Sequence, residues 1–344
     1  MKRIFILAAI ALLATGVLFA EEKILIDFSL LAADIMPDDN DAPTQNRQTL
    51  MDFSTVAGGS FTEEQKAVMK TSLAINQWEV QLASSSRTVG NQVRTFTREA
   101  PSKQWGTVMG VRIHFPVEPF GSWAIVKPAF EIPAFEPPAE IDDDGNVAEP
   151  EEEGSNGITG PSRFEDGYGV IKNVGTIKAV AVNAYGLNFP HGLSALLIDN
   201  QGNQKTIFLG YLNYDGWAEL RWDNPQYVQE VRNRDLRLYP LYPFSTPFVK
   251  FGGFMIQRDA SHIGGDFVSY FKDVKIIYDK AVLDTERDID DEAQWNIIRD
   301  RETAKKTFEM SRFGRNQVLR YLDSQKQATE SAFTPSPTAD EEEQ

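Results

Sequence analysis

The chain has no cysteine among its 344 residues. Disulfide bonds, thiolate metal sites, a cysteine nucleophile and lipid attachment at a cysteine are therefore excluded. Histidine is nearly as scarce, limited to His114, His191 and His262. No H-E-x-x-H pair offers a zinc site, and no G-x-S-x-G presents a serine nucleophile. A P-loop is missing, and so is a G-x-G-x-x-G set between a strand and a helix. Carboxylates are abundant, but nothing in their spacing sets two of them across a substrate. The run Asp142, Asp143, Asp144, Gly145 lacks the full EF-hand pattern and is read as loop. No basic stripe exists to neutralise phosphates, so nucleic acid is not an expected partner. The expectation is a chain with no catalytic residue, no metal and no cofactor.

What the chain has in excess is acid, and it is localised. The formal net charge is −16, yet residues 136–153 hold nine acids and no base, and Asp340 to Glu343 add four more. The body without those segments is close to neutral. Both acidic runs read as solvated chain, an insert at 136–160 and a disordered tail at 328–344. The start is the reverse: "MKRIFILAAIALLATGVLFA" is basic at Lys2 and Arg3 and then apolar from Ile4 to Ala20. It stops in "EEKILIDF" without a basic stop-transfer flank, which predicts a signal peptide over 1–20 cleaved between Ala20 and Glu21. Leu18 departs from the usual small residue three positions before the cut. The mature product is expected beyond the inner membrane and not inserted in it.

The mature chain is dominated by strand signals. "KILIDFSLL" reads as a first strand from Lys23 to Leu31. One short helix follows over "TEEQKAVMKTSLA", with Thr62 as N-cap, Gln65 reaching back, and Met69 and Leu73 on one face. "WEVQL", "GVRIHFP" and "WAIVKP" alternate, with Val111, Ile113 and Phe115 on one side of the second and Arg112 and His114 on the other. "GTIKAVAVNAYG" is apolar at nearly every position, as a strand covered on both faces should be. "SALLIDNQGNQKTIFLGYL" predicts a hairpin turning at Asn200 to Asn203. "GWAELRW", "LRLYPLYP", "FVKFGGFMIQRD" and "DFVSYFKDVKIIYDK" complete the set, with Pro240 and Pro243 pointing to an edge strand. About a dozen strands with few helices predict an antiparallel β-sandwich of jelly-roll, lectin-like type over 21–284. From Asp288 the period changes to that of a helix, placed at 285–327, with Ile297, Ala304, Phe308, Val318 and Leu322 as its apolar stripe.

The six tryptophans, Trp78, Trp105, Trp123, Trp217, Trp222 and Trp295, could stack on sugar rings or fill a sandwich core. Strand alternation makes Trp222 core and leaves Trp217 exposed with Arg221 on the other face. The aromatic stretch "FGSWAIVKPAFEIPAF", 120–135, reads as wall: paired strands whose apolar face fills the sandwich. Trp217, Arg221, Phe308 and Leu322 are the candidate partner-facing residues.

Four long stretches carry a resemblance: "LIDFSLLAADIMPDDN", "RFEDGYGVIKNVGTIKAVAVNAYGLNFPHGL", "LRLYPLYP" and "GGFMIQRDASHIGGDFVSYFKDVKIIYDKAVL". They are similar to the spirochaete periplasmic flagellar filament outer-layer protein family, FlaA, especially its treponemal members. The resemblance extends from the leader to "RFGRNQVLRYLDSQKQATESAFTPS". It implies a sheath subunit that coats a core of flagellin subunits in periplasmic filaments and tunes their diameter, stiffness and curvature for motility. It also implies other copies of the chain, and a second sheath protein, as partners, and no catalytic residues to carry over. Composition and spacing alone leave a secreted carbohydrate-binding module as the alternative, with an exported glycosidase behind it.

Overall fold

The computed structural model describes residues 20–36, 42–54, 61–135, 163–235, 242–282 and 288–333. The leader up to residue 19, the acidic insert and the end of the tail lie outside the described residues. In chain order the strands begin with β1 (Glu21–Asp27), β2 (Met51–Asp52), β3 (Lys70–Thr71), β4 (Glu79–Leu82), β5 (Phe96–Ser102), β6 (Gly106–Phe115) and β7 (Ser122–Lys127). They continue with β8 (Val170–Lys172), β9 (Val174–Leu187), β10 (Gly192–Asp199), β11 (Gln204–Tyr211), β12 (Asp215–Asp223), β13 (Phe248–Arg258) and β14 (Gly265–Lys280). The described helices are α1 (Glu63–Met69), α2 (Val89–Val93), α3 (Tyr227–Asp235), α4 (Asp291–Trp295) and α5 (Ile297–Phe333).

Two six-stranded antiparallel sheets face each other. The first has the order β12-β9-β14-β6-β5, and β1 lies beside the far half of β14. The second has the order β11-β10-β13-β7-β4, with β8 beside the near half of β13. The architecture is thus the mainly β sandwich of jelly-roll type read from the strand pattern, with a C-terminal helix added. Both long central strands are bulged: β14 shifts register between Phe271 and Asp273, and the β10–β13 pairing shifts between Leu196 and Leu197. At the second bulge Gly253 has φ +131°, and a Cβ there would come within 2.1 Å of the Val126 carbonyl oxygen, so only glycine fits.

Alternation sets the core. Val111, Ile113 and Phe115 of β6 are buried while Arg112 and His114 face outward. Residues 179–182 of β9 are all buried, as a strand interior to its sheet requires. The seam between the sheets is aromatic. Phe254 of β13 stacks on Phe271 of β14 with ring centroids 4.5 Å apart, and Phe251, Phe28 and Trp78 pack around them. Trp78 is buried and donates its indole N–H to the Leu73 carbonyl at 2.9 Å, so it is core and not platform.

Several local readings change. The first strand ends at Asp27, whose carboxylate accepts from the Ser29 amide at 3.0 Å and turns Phe28–Leu31 into a 3₁₀ turn. In α1 the Thr62/Gln65 capping box forms, but the helix stops at Met69, so Leu73 reaches the core from beyond it. The hairpin turns at Asn200 to Asn203 as expected, held by Asp199. Helix α3 was not expected, because its sequence is polar almost throughout. Of the proposed edge strand, 236–241 lies outside the described residues and Pro243 sits in a turn. The stretch 120–135 is wall, and its first half is a paired strand: β7 pairs with β13 and β4, then gives way at Pro128 to irregular chain that buries Ala129, Phe130, Ile132, Ala134 and Phe135.

The largest correction concerns the C-terminal helix. It is two helices, because Asn296 adopts a left-handed φ of 51° between α4 and α5, and α5 continues to Phe333, past the expected end at 327. The expected stripe holds only in part: Val318 packs against the core and Ile297 is half-buried, but the other three positions turn outward. Lys306, Met310, Phe313 and Gln317 face the sandwich, whereas Ala304, Phe308 and Leu322 are exposed. Phe313 packs on Phe53 and Phe130 with centroids 3.7 and 5.5 Å away. Around these rings, Lys250 reaches Glu131 at 3.2 Å and Glu309 at 3.0 Å, Arg312 pairs with Glu131, and Arg320 meets Glu79 at 2.7 Å. A half-open cleft of about 390 Å³ remains between helix and sheet, lined by Phe53, Lys127, Glu131, Gly252, Arg312 and Arg320.

The aromatic seam yields a stability prediction. Phe254→Ala removes a fully buried ring and should cost about 3–5 kcal/mol in urea unfolding. A loss under about 1 kcal/mol would show that the two sheets do not depend on this contact.

Candidate assembly surface

Two of the three histidines are engaged by neighbouring side chains. His114 bonds Asp266 at 2.8 Å, and Arg112 takes the other carboxylate oxygen at 3.1 Å. The bond from His114, followed by that from Arg112, holds the Asp266 carboxyl below its usual range. The Thr95 hydroxyl accepts from the His114 backbone amide at 3.0 Å, and the His114 ring faces Arg94 and Asp266. His191 is buried among Phe115, Phe189 and Phe267, with ring centroids 5.2, 5.9 and 4.9 Å away. Burial first, then the positive field of His262 and Arg258, lowers its pKa to about 4. Among the described residues no group of three or more His, Asp or Glu could hold a metal ion.

Surfaces remain. On the outer face of the first sheet, Trp217 of β12 lies 5.4 Å from Tyr185 of β9, which lies 5.9 Å from Tyr270 of β14. Trp105 curls over from the β5–β6 turn to within 6.5 Å of Trp217 and covers the ammonium of Lys272 at 4.8 Å. Lys272 in turn bonds buried Asp273 at 2.5 Å. Trp217 is therefore half-buried in an aromatic row and not freely exposed as expected, while Arg221 is exposed and bonded to Asp223 at 2.9 Å. Trp222 sits partly buried against the core. Phe308 and Leu322 are exposed on α5, away from the face that carries Met310 and Phe313. The structure so gathers Trp217 and Arg221 on one face and Phe308 and Leu322 on another.

Sequence reasoning missed Tyr185 and Tyr270, which strand register would have placed beside Trp217. It also missed Leu319 and Arg315, which share the outward face of α5 with Phe308 at helical spacing. Ala20 is the first described residue, and β1 begins immediately after it at Glu21.

The described residues form an antiparallel β-sandwich with a clamped C-terminal helix and broad outward faces. Sequence likeness supplies the family. The sequence profile of the family described as flagellar filament outer layer protein FlaA matches residues 42–287. The flagellar filament outer layer protein of Treponema pallidum (strain Nichols) is 50% identical over 350 residues, covering 100% of this chain and 99% of that one. That of Spirochaeta aurantia is 46% identical over 340 residues, covering 97% and 95%. That of Borreliella burgdorferi is 27% identical over 283 residues, covering 80% and 74%. A carbohydrate-binding module solved with beta-1,4-galactotriose aligns over 59% of this chain and 88% of its own at a TM-score of 0.26 and 7% identity, too low to carry an argument. The chain belongs to the flagellar filament outer layer protein family, and its role is that of a structural outer-layer subunit.

The buried histidine makes a pH prediction. Its folded pKa of about 4 lies below the unfolded value of 6.5, so the unfolded chain binds the proton first. This site adds no pH dependence above about 6.5, and stability should fall by about 2–3 kcal/mol as the pH drops from 6.5 to 4. His191→Leu should flatten that slope in urea titrations across this range, and an unchanged slope would remove His191 as its source.

Proposed function

We propose that the chain is exported with cleavage after Ala20, and that the mature protein coats a core of flagellin subunits in the periplasm. Copies of the chain lie side by side on that core, alone or with a second sheath protein. The observation that carries this reading is the match along the whole chain, leader included, to outer-layer proteins of spirochaetes. The start of the fold supports the cut. Glu21 pairs with Tyr278 in the first sheet and its carboxylate lies 3.3 Å from Lys280, so β1 starts at the first residue after the proposed cut.

The role proposed is mechanical and not catalytic. A coat adds material far from the filament axis, where it contributes most to bending stiffness, and thereby alters curvature and swimming. The interactions that favour this are the ones described above: charged and aromatic side chains spent on holding surfaces in shape. The acidic insert 136–160 and the tail beyond the helix are proposed to stay solvated, since nine acids without a base carry little apolar area to bury.

Two measurements test the reading. Mass spectrometry of the mature protein should find Glu21 as the first residue, and an intact Met1 in the periplasmic fraction would sink export with cleavage. Electron microscopy of a deletion strain should find filaments that persist but are thinner and differently curved. Unchanged diameter and curvature, with the protein missing from purified wild-type filaments, would overturn the coat.

A further inference from the structure

A strand at the edge of a sheet leaves a row of backbone N–H and C=O groups without ladder partners. The edges of this sandwich are guarded unequally. β5 carries Pro101 and is tied through its Thr97 hydroxyl to the Ile75 and Trp78 carbonyls. β4 is only four residues long, and β11 is bulged opposite Leu193 and Ser194. β1 is closed on its far side by backbone bonds to Gly167 and Gly169. β12 has none of these guards. Its nine residues end the first sheet, contain no proline, and pair with β9 without a register shift.

The phase of the β12–β9 ladder shows which groups are left over. At its two ends the Asn188 amide donates to the Tyr214 carbonyl at 2.9 Å, and the Asn224 amide to the Lys178 carbonyl at 2.8 Å. Antiparallel bonds recur at every second residue, so the even-numbered residues of β12 bond to β9. Asp215, Trp217, Glu219, Arg221 and Asp223 therefore turn their N–H and C=O groups to the open side. Among the described residues no backbone group bonds there. Helix α3, which follows β12, turns back on the sheet. Its Tyr227 ring lies 5.8 Å from the Lys178 ammonium of β9, and its hydroxyl donates to Asp279 of β14 at 2.7 Å. The inner face of β12 is incompletely covered as well, since Leu220 and Trp222 are half-buried while residues 179–182 of β9 are all buried.

We propose that β12 of one copy pairs antiparallel with β12 of a second, so that two first sheets join across a twofold axis. The unpaired backbone calls for a strand, and the side chains fit this same strand. A register centred on Leu220 sets outward-bonding residues against each other. It places Glu219 opposite Arg221 of the second copy and, by symmetry, Arg221 opposite its Glu219. On the inner face the two Leu220 side chains meet, and Ala218 lies opposite Trp222. A slip of one residue sets bonding positions against non-bonding ones and turns the faces over. A slip of two sets Glu219 against Glu219 or Arg221 against Arg221.

The other charges near this seam do not oppose the register. Within each copy Arg221 bonds Asp223 at 2.9 Å, and Lys275, which also meets Glu22, lies 3.9 Å from Glu219. Lys205 adds a cation 5.8 Å from the Trp222 ring. Asp223 comes opposite Trp217 of the second copy, and Asp215 falls at the end of the overlap, opposite Pro225. An edge paired with itself closes as a dimer, because the same surface is used on both sides. The pairing deepens the outer-layer reading and rests on it for its setting: the unit laid on the core is then a pair of copies sharing one sheet.

The absence of native cysteine makes the test direct. Mature full-length Glu219→Cys and Arg221→Cys variants are prepared, with the double variant as a third. Both positions are exposed, and circular dichroism verifies the fold. Under mild oxidation an equal mixture of the two single variants should cross-link at least several-fold faster than either alone. The double variant should give disulfide dimers and no ladder, in solution and in isolated filaments. In sedimentation of the cysteine-free protein, Arg221→Glu should weaken the dimer several-fold, and adding Glu219→Arg should restore it. Rapid cross-linking of either single variant alone, or a ladder from the double variant, would overturn the proposal. So would a monomer in solution together with filaments in which the double variant forms no pair or cross-links only to core subunits, and the outer-layer role would then stand. Dimers in solution with no protein in the filaments would instead keep the edge pairing and count against that role.

Discussion

Two long strands packed face to face organise this protein. β14 bonds to β9 along one edge and to β6 and β1 along the other; β13 bonds to β10 along one edge and to β7 and β8 along the other. Each central strand thus ties three neighbours into one sheet, and the stacked rings of Phe254 and Phe271 join the two sheets. Backbone bonds in such strands are satisfied on both edges, so the apolar faces are free to be spent entirely on packing. The bulges at Gly253 and Asp273 are where one partner strand gives way to another or where a charged pair is sheltered, and they bend each sheet around the seam.

The helix α5 is held by a different kind of contact. Its inner face mixes Met310 and Phe313 with Lys306 and Gln317, and the surrounding charges of Lys250, Glu131, Glu309 and Arg312 are paired with each other. Buried ion pairs of this type gain little net stability over apolar packing, because both partners are taken out of water. What they impose is position: the helix can seat on the irregular 128–135 chain in one register without stranding a charge. That position turns Phe308, Leu319 and Leu322 outward. For a subunit of a filament layer, an exposed apolar face held rigidly is a resource for assembly.

Among the described residues several titratable groups are tied up by their neighbours: His114 by Asp266, His191 by a cage of phenylalanines, Asp273 by Lys272 beneath Trp105. The aromatic row of Trp217, Tyr185 and Tyr270 packs edge to face within itself. Evenly distributed, internally satisfied surfaces of this kind suit broad contact with neighbours.

Much was legible in the sequence by itself. The lack of cysteine, the apolar leader, the alternation of β6 and β7, the nearly all-apolar 177–182, and the Asn200 to Asn203 turn are statements about composition or near neighbours in the chain, and they need no tertiary contact. The sandwich follows from these, whereas the family likeness rests on the long stretches of similar sequence. The inner face of α5 was not legible, because Lys306 and Gln317 read as solvent-facing until Lys250 and Glu131, from 56 to 186 residues away, are brought beside Glu309 of the same helix. An apolar stripe on a helix says that one face wants a partner, and a helix with two such faces does not say which is covered. Only the tertiary structure decided that, since the choice is made by shape and charge on the second sheet, contributed by segments distant in the chain. The same holds for the open edge of β12, since only its pairing with β9 shows which residues turn their backbone groups outward.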